Sequence, residues 1–108
     1  MVCDPTTLDS TRYVTADCVT SGNQLPDDKV TKAACDGVEG KFCNGRCYFT
    51  TKASKEEAAS RNFDQLCNQK KPQGSGSYLS FVYMYPTKQK ALEFSGGQCD
   101  SVFFSNEL

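Results

Sequence analysis

Hydrophobic positions change their period several times along this chain, and each change marks an element. From Tyr13 to Thr20 the β-branched Val14, Thr15, Val19 and Thr20 predict a first strand carrying Cys18, ended by Ser21-Gly22-Asn23. Pro26 then stands where a first helical residue belongs. Asp27 and Asp28 complement the positive end of a helix dipole, and Val30, Ala33, Ala34 and Val38 share one stripe, with Gly37 and Gly40 bracketing the helix end. Over Lys41 to Thr51, Asn44-Gly45 between Phe42-Cys43 and Cys47-Tyr48-Phe49 predicts a hairpin, and one bulged strand is the alternative. Ser54 with Glu57 three residues on forms a capping box. The helix it opens carries Ala59, Phe63, Leu66 and Cys67 on its inner stripe, with Lys55, Glu56, Arg61 and Gln65 toward water.

Lys70 to Ser77 is a polar, Gly/Ser-rich loop. Tyr78 to Tyr85, interrupted only by Ser80, is the longest apolar stretch, and its continuity predicts a central strand covered on both faces. Lys90–Phe94 and Cys99–Ser105 around Gly96-Gly97 predict a last hairpin, with one helical turn over Lys88–Phe94 as the alternative. The elements together predict an α+β fold: two helices on a mainly antiparallel sheet of four to five strands, a two-layer sandwich stabilised by disulfides. Residues 1–12 read as an irregular N-terminal arm, and 13–108 as one α+β domain.

Composition sharpens this picture. At 11.9 kDa the hydrophobic contribution to stability is thin, and no tryptophan supports it. Seven cysteines in 108 residues approach the share of about 8–10% that marks a disulfide scaffold, so covalent staples and an oxidising compartment are expected. The net charge of −1 supplies no global field for nucleic acid or an anionic membrane, and no apolar run is long enough for a stable membrane insertion. Met1-Val2-Cys3-Asp4 has neither the basic stretch nor the apolar core of a signal peptide, so the expectation is a secreted, extracellular chain already freed of its leader, with Met1 an added residue. None of Asn23, Asn44, Asn62, Asn68 and Asn106 has a hydroxyl residue two positions on, so N-glycosylation is not expected.

The absence of histidine removes the Ser-His-Asp triad, the Cys-His pair and histidine acid/base chemistry. Carboxylates remain: Asp27, Asp28, Glu39, Glu56, Glu57, Asp64 and Glu93. Four of these stand at helix starts, where acids serve the dipole, so no catalytic residue is assigned. Cys35, Cys43, Cys47 and Cys67 invite a zinc test, but only one short cysteine pair exists where structural sites carry two, and no metal or cofactor is expected. Tyr78, Phe81, Tyr83 and Tyr85 with Phe103 and Phe104 read as core rather than as a stacking platform.

The expected disulfide formers are Cys18, Cys35, Cys43, Cys47, Cys67 and Cys99, with Cys3 on the arm as the unpaired or intermolecular thiol. The reverse, Cys3 bridged and Cys43 free, is the competing assignment, and spacing does not select a connectivity. This cysteine distribution with the Ser54–Cys67 helix resembles the small cysteine-rich secreted proteins of fungi, and within them the KP6-type killer toxin and effector fold. The resemblance spans roughly residues 13–105 and is one of architecture; an odd seventh cysteine departs from a fully paired toxin. It implies a non-enzymatic effector, a virulence factor meeting another secreted protein or a host protein, in some cases paired with a second effector. A killer-type toxin, and an inhibitor presenting Phe42–Tyr48 or Lys70–Ser77 to a secreted hydrolase, are the alternatives.

Overall fold

The computed structural model describes residues 10–93 together with Cys99 and Val102. Four strands form one antiparallel sheet in the order β2-β3-β1-β4: β1 Thr11–Thr20, β2 Lys41–Cys43, β3 Arg46–Lys52 and β4 Tyr78–Tyr85. Helices α1, Asp28–Gly37, and α2, Glu56–Lys70, cover one face of the sheet. A short third helix, α3, Lys88–Leu92, lies on the other face. The fold is α+β and disulfide-stapled, as the sequence predicts, with this extra helix in place of the expected hairpin strand at Lys90–Phe94; most of Cys99–Ser105 lies outside the described residues.

Alternation along β1 sorts side chains between two cores. Val14, Ala16 and Cys18 face the helices and pack with Val30, Ala34, Phe49 and Phe63 in the inner core. Phe49 and Phe63 stack with centroids 6.1 Å apart. Tyr13 on the opposite face joins Tyr48, Tyr85, Ala91, Leu92, Cys99 and Val102 in an outer cluster under α3. β1, not β4, is therefore the central strand. β4 forms the sheet edge, and only its even-numbered residues meet the helical layer.

The helix ends are set by contacts that the local pattern does not show. Pro26 precedes α1 rather than opening it: it bridges Val19, and the helix is capped by Asp27, whose Oδ1 accepts the Val30 N–H at 3.2 Å. At its other end α1 stops at Gly37, so Gly37 and Gly40 bracket the helix end as expected, and between them Glu39 takes the left-handed conformation, φ +57°. Gly40 is needed for space instead, since a Cβ there would stand 2.8 Å from both Cys47 Sγ and the Tyr48 carbonyl oxygen. Ser54 falls within a 3-10 turn, Ala53–Lys55, that leads into α2, and the Ala53 carbonyl accepts the Glu56 N–H, so i→i+3 bonding starts the helix. Glu56, assigned to water, is half-buried against Arg12, with Oε2 2.8 Å from Nε.

Asn44-Gly45 makes the predicted hairpin, both residues having positive φ (53° and 83°), the geometry a two-residue turn of the primed type requires. Of the segment read as an arm, Thr11 and Arg12 belong to β1, and the Ser10 carbonyl accepts the Ala53 N–H at 2.8 Å. Residues 1–9 lie outside the described ones.

Candidate contact surface

Six cysteines form three bridges: Cys18–Cys67, Cys35–Cys47 and Cys43–Cys99. Cys3 lies outside the described residues. The bridges consume the thiolates of the tetrad weighed for zinc, splitting Cys35, Cys43, Cys47 and Cys67 among three pairs, and no cluster of metal-binding side chains occurs among the described residues. Two bridges join the helical layer to the sheet: Cys67 of α2 to β1, and Cys35 of α1 to β3. The third anchors Cys99 to the end of β2, beside the outer cluster.

Five of the seven carboxylates weighed for catalysis have partners within the structure. Asp27 caps α1 and also accepts the Tyr78 hydroxyl at 2.7 Å, a bond that favours the protonated phenol and raises its pKa above the ordinary tyrosine value. Asp64 accepts the Ser80 hydroxyl, Glu56 pairs with Arg12, and Glu57 and Glu93 lie near Arg61 and Lys90 on exposed helix surface.

The unusual surface is the outer face of β4. Its register with β1 places Leu79 beside Val19, Phe81 beside Asp17 and Tyr83 beside Thr15. Directly paired residues share a face, so these side chains point away from the helical layer. Leu79 is 40% exposed and Tyr83 51%, and Phe81 between them is half-buried. Neither Leu79 nor Phe81–Tyr83 joins either core cluster except through Val82, which faces inward. The aromatic series read as core thus divides: Tyr78 is buried, Tyr85 packs under α3, and Tyr83 faces outward with Leu79. Phe103 and Phe104 lie outside the described residues.

Polar groups sit in the middle of this surface. Burial raises the pKa of Asp17, opposed by the charge of Arg46 and reinforced by that of Asp28. Thr15 is 1% exposed, and its hydroxyl has no hydrogen-bond partner among the described residues. The half-buried Asp17 carboxyl set among exposed apolar side chains gives a surface that can bury area and also discriminate by hydrogen bonding, while the Thr15 hydroxyl lies beneath it.

The edge of β4 has its own geometry. Asn68 of α2 closes a pair of bonds with the backbone of Tyr78: its Nδ2 donates to the Tyr78 carbonyl and its Oδ1 accepts the Tyr78 N–H, both at 2.9 Å. The Tyr78 peptide groups therefore point away from β1. On β1 the even residues point away from β4 in turn: the Cys18 N–H reaches Thr31 Oγ1, the Cys18 carbonyl accepts the Asp27 N–H, and the Thr20 N–H reaches the Leu25 carbonyl. Alternation then directs the N–H and C=O groups of Ser80, Val82 and Met84 outward as well, along an edge that no strand among the described residues covers.

Sequence reasoning placed no functional role on Leu79, Asp17 or Asn68. The available signal was an eight-residue strand with no charge and no proline, which edge strands normally carry as protection. A shallow groove of about 400 Å³ lies elsewhere, between β3 and α2, lined by Val38, Phe49, Thr51, Lys55, Ala59 and Asn62 among others. No helix among the described residues is long and apolar enough to cross a membrane. Comparison of the chain with family models, with curated proteins and with solved structures finds no match.

Proposed function

We propose that this chain is a secreted, non-enzymatic effector of the small cysteine-rich fungal kind, a virulence factor that acts by protein–protein contact on a host protein or a second secreted protein. The exposed outer face of β4, Leu79 and Tyr83 around Phe81 with the half-buried Asp17 at its centre, is the observation that carries the reading. Exposed apolar side chains grouped on a rigid strand are what contact surfaces require, with aromatic residues as anchors. Three disulfides in so small a chain support an oxidising, extracellular compartment, and a sequence without histidine supports a role other than hydrolysis. The resemblance to KP6-type proteins rests on architecture and accords with the same role.

The test is photo-crosslinking from defined positions in host extracellular fluid. A photoreactive phenylalanine analogue replaces Tyr83 in one variant and the exposed loop residue Gln73 in another. Adducts of discrete mass from position 83 and not from 73, suppressed by excess unlabelled protein, are expected. Equal labelling from both positions, or none from 83, overturns the reading.

One observation favours a second role, inhibition of a secreted hydrolase. Bridges Cys43–Cys99 and Cys35–Cys47 grip both arms of the hairpin that presents the exposed Asn44, the pre-organised loop an inhibitor needs. Retained inhibition of a secreted protease panel after Asn44→Ala and Arg46→Ala exchange would exclude this hairpin as the inhibitory loop.

A further inference from the structure

Resting on the reading of β4 as a contact surface, we propose that its edge and its face have different partners: the edge pairs with β4 of a second copy of this chain, joining two sheets into one. Outward N–H and C=O groups come from Ser80, Val82 and Met84, a set symmetric about Val82. A two-fold axis through Val82 places Val82 against Val82 of the second copy, and Ser80 against its Met84, which is the hydrogen-bonded pairing of an antiparallel ladder.

The ends of that ladder match the chain. In the same register Tyr78 stands opposite Pro86. Pro86 has no N–H to offer, and the peptide groups of Tyr78 that would receive a partner are already held by Asn68. Each copy thus ends the ladder where the other has nothing to pair, so the edge is complementary to itself. Shifting the register by two residues in either direction breaks this match, because Pro86 would then face a residue whose peptide groups are open or Tyr78 would face one that needs them.

The side chains agree with the backbone. Tyr78–Tyr85 contains no charge, so self-pairing along the strand opposes no like charges. On the outer face each Phe81 stands beside Tyr83 of the other copy, and Leu79 beside Tyr85, so two exposed patches merge into one across the axis. The dimer would present twice the contact surface to the effector's target, and the edge would no longer be open to indiscriminate strand addition.

The experiment uses the full oxidised chain carrying Cys3→Ser, so that no intermolecular disulfide mimics the contact. Sedimentation equilibrium across a concentration series is expected to show mass rising from 11.9 kDa toward twice that value. Amide hydrogen exchange read by NMR over the same series identifies the contact. The amides of Ser80, Val82 and Met84 should slow as concentration rises, while those of Leu79, Phe81 and Tyr83, bonded to β1, and of Tyr78, bonded to Asn68, stay slow throughout. A semisynthetic chain with N-methylvaline at position 82 removes one outward N–H without touching the ladder to β1, and should remain monomeric with an unchanged circular dichroism spectrum.

A monomer at every concentration overturns the proposal, as does a dimer whose even-numbered β4 amides exchange at the monomer rate. Either failure leaves the contact reading intact if Tyr83 still crosslinks to another protein. Loss of that crosslink with the dimer retained sinks the contact reading alone.

Discussion

Removing Cys18–Cys67 should cost more than removing Cys35–Cys47, although the four sulfurs are equally buried. All four cysteines are 0% exposed, so double alanine substitution leaves comparable small cavities, and the difference between the variants isolates the effect of loop length. The bridges span 49 and 12 residues. With the shorter bridge in place, the longer one closes an effective loop of roughly 37 residues, which in the chain-entropy account is worth about 4 kcal/mol against about 3 kcal/mol for the shorter. The gap of about 1 kcal/mol corresponds to about 4–8 °C in melting temperature for a domain of this size. Differential scanning calorimetry of C18A/C67A and C35A/C47A, both in a Cys3→Ser background, measures it. Equal melting temperatures, or a lower one for C35A/C47A, would refute the entropic reasoning and point to native-state packing, in which the contact of Gly40 with the Cys35–Cys47 sulfurs would be the first suspect.

Three further outcomes are expected. Gly40→Ala should lower stability because its Cβ meets the Tyr48 carbonyl and the Cys35–Cys47 sulfurs at 2.8–2.9 Å, whereas Glu39→Gly, at φ +57°, should raise it by about 0.5–1 kcal/mol; urea unfolding of both variants checks the opposite signs. Asp17→Asn should stabilise the protein at neutral pH: burial raises the folded-state pKa above 3.8, so wild type loses stability as pH rises from that value through the folded pKa, and the advantage of the variant should vanish below pH 3.8. A variant less stable at pH 7 would show that attraction to Arg46 outweighs desolvation. Thr31→Val should cost about 1–3 kcal/mol in denaturant unfolding, since the Thr31 hydroxyl, buried with the Cys18 N–H 2.9 Å away, is that amide's partner where β1 extends beyond β3.

The fold class and the hairpin were legible because their signals are local. Asn44-Gly45 carries its own turn preference, and the stripe ending in Cys67 requires only helical period. The misplacements share a cause, competition from partners distant in sequence. Nothing local shows that Glu56 will turn from water to Arg12, or that the Ala53 amide at the start of the 3-10 turn will be taken by the Ser10 carbonyl. β4 is the instructive case. A continuous apolar run suits a strand buried on both faces, and it equally suits an edge strand whose outer face awaits a partner; the sequence pattern is the same because burial by another molecule and burial within the chain select the same side chains.

The placement of the bridges explains why that face can stay open. Cys18–Cys67 and Cys35–Cys47 fasten both helices to the strands that carry the inner core, and Cys43–Cys99 fastens Cys99 into the outer cluster with Tyr13 and Tyr48. The stretch of outer face around Leu79, Phe81 and Tyr83 lies beyond the outer cluster that the third bridge anchors. Leaving apolar side chains in water forgoes about 25 cal/mol for each Å² that burial would remove, a loss that a domain of 108 residues with a thin core absorbs only with covalent help. Stability supplied through loop entropy, rather than through area, releases β4 from serving the core on both faces. The cysteine content and the exposed strand are then two parts of one arrangement: crosslinks hold the scaffold rigid, and in the proposed contact that rigidity would let Leu79, Asp17 and Tyr83 meet a partner with little ordering cost.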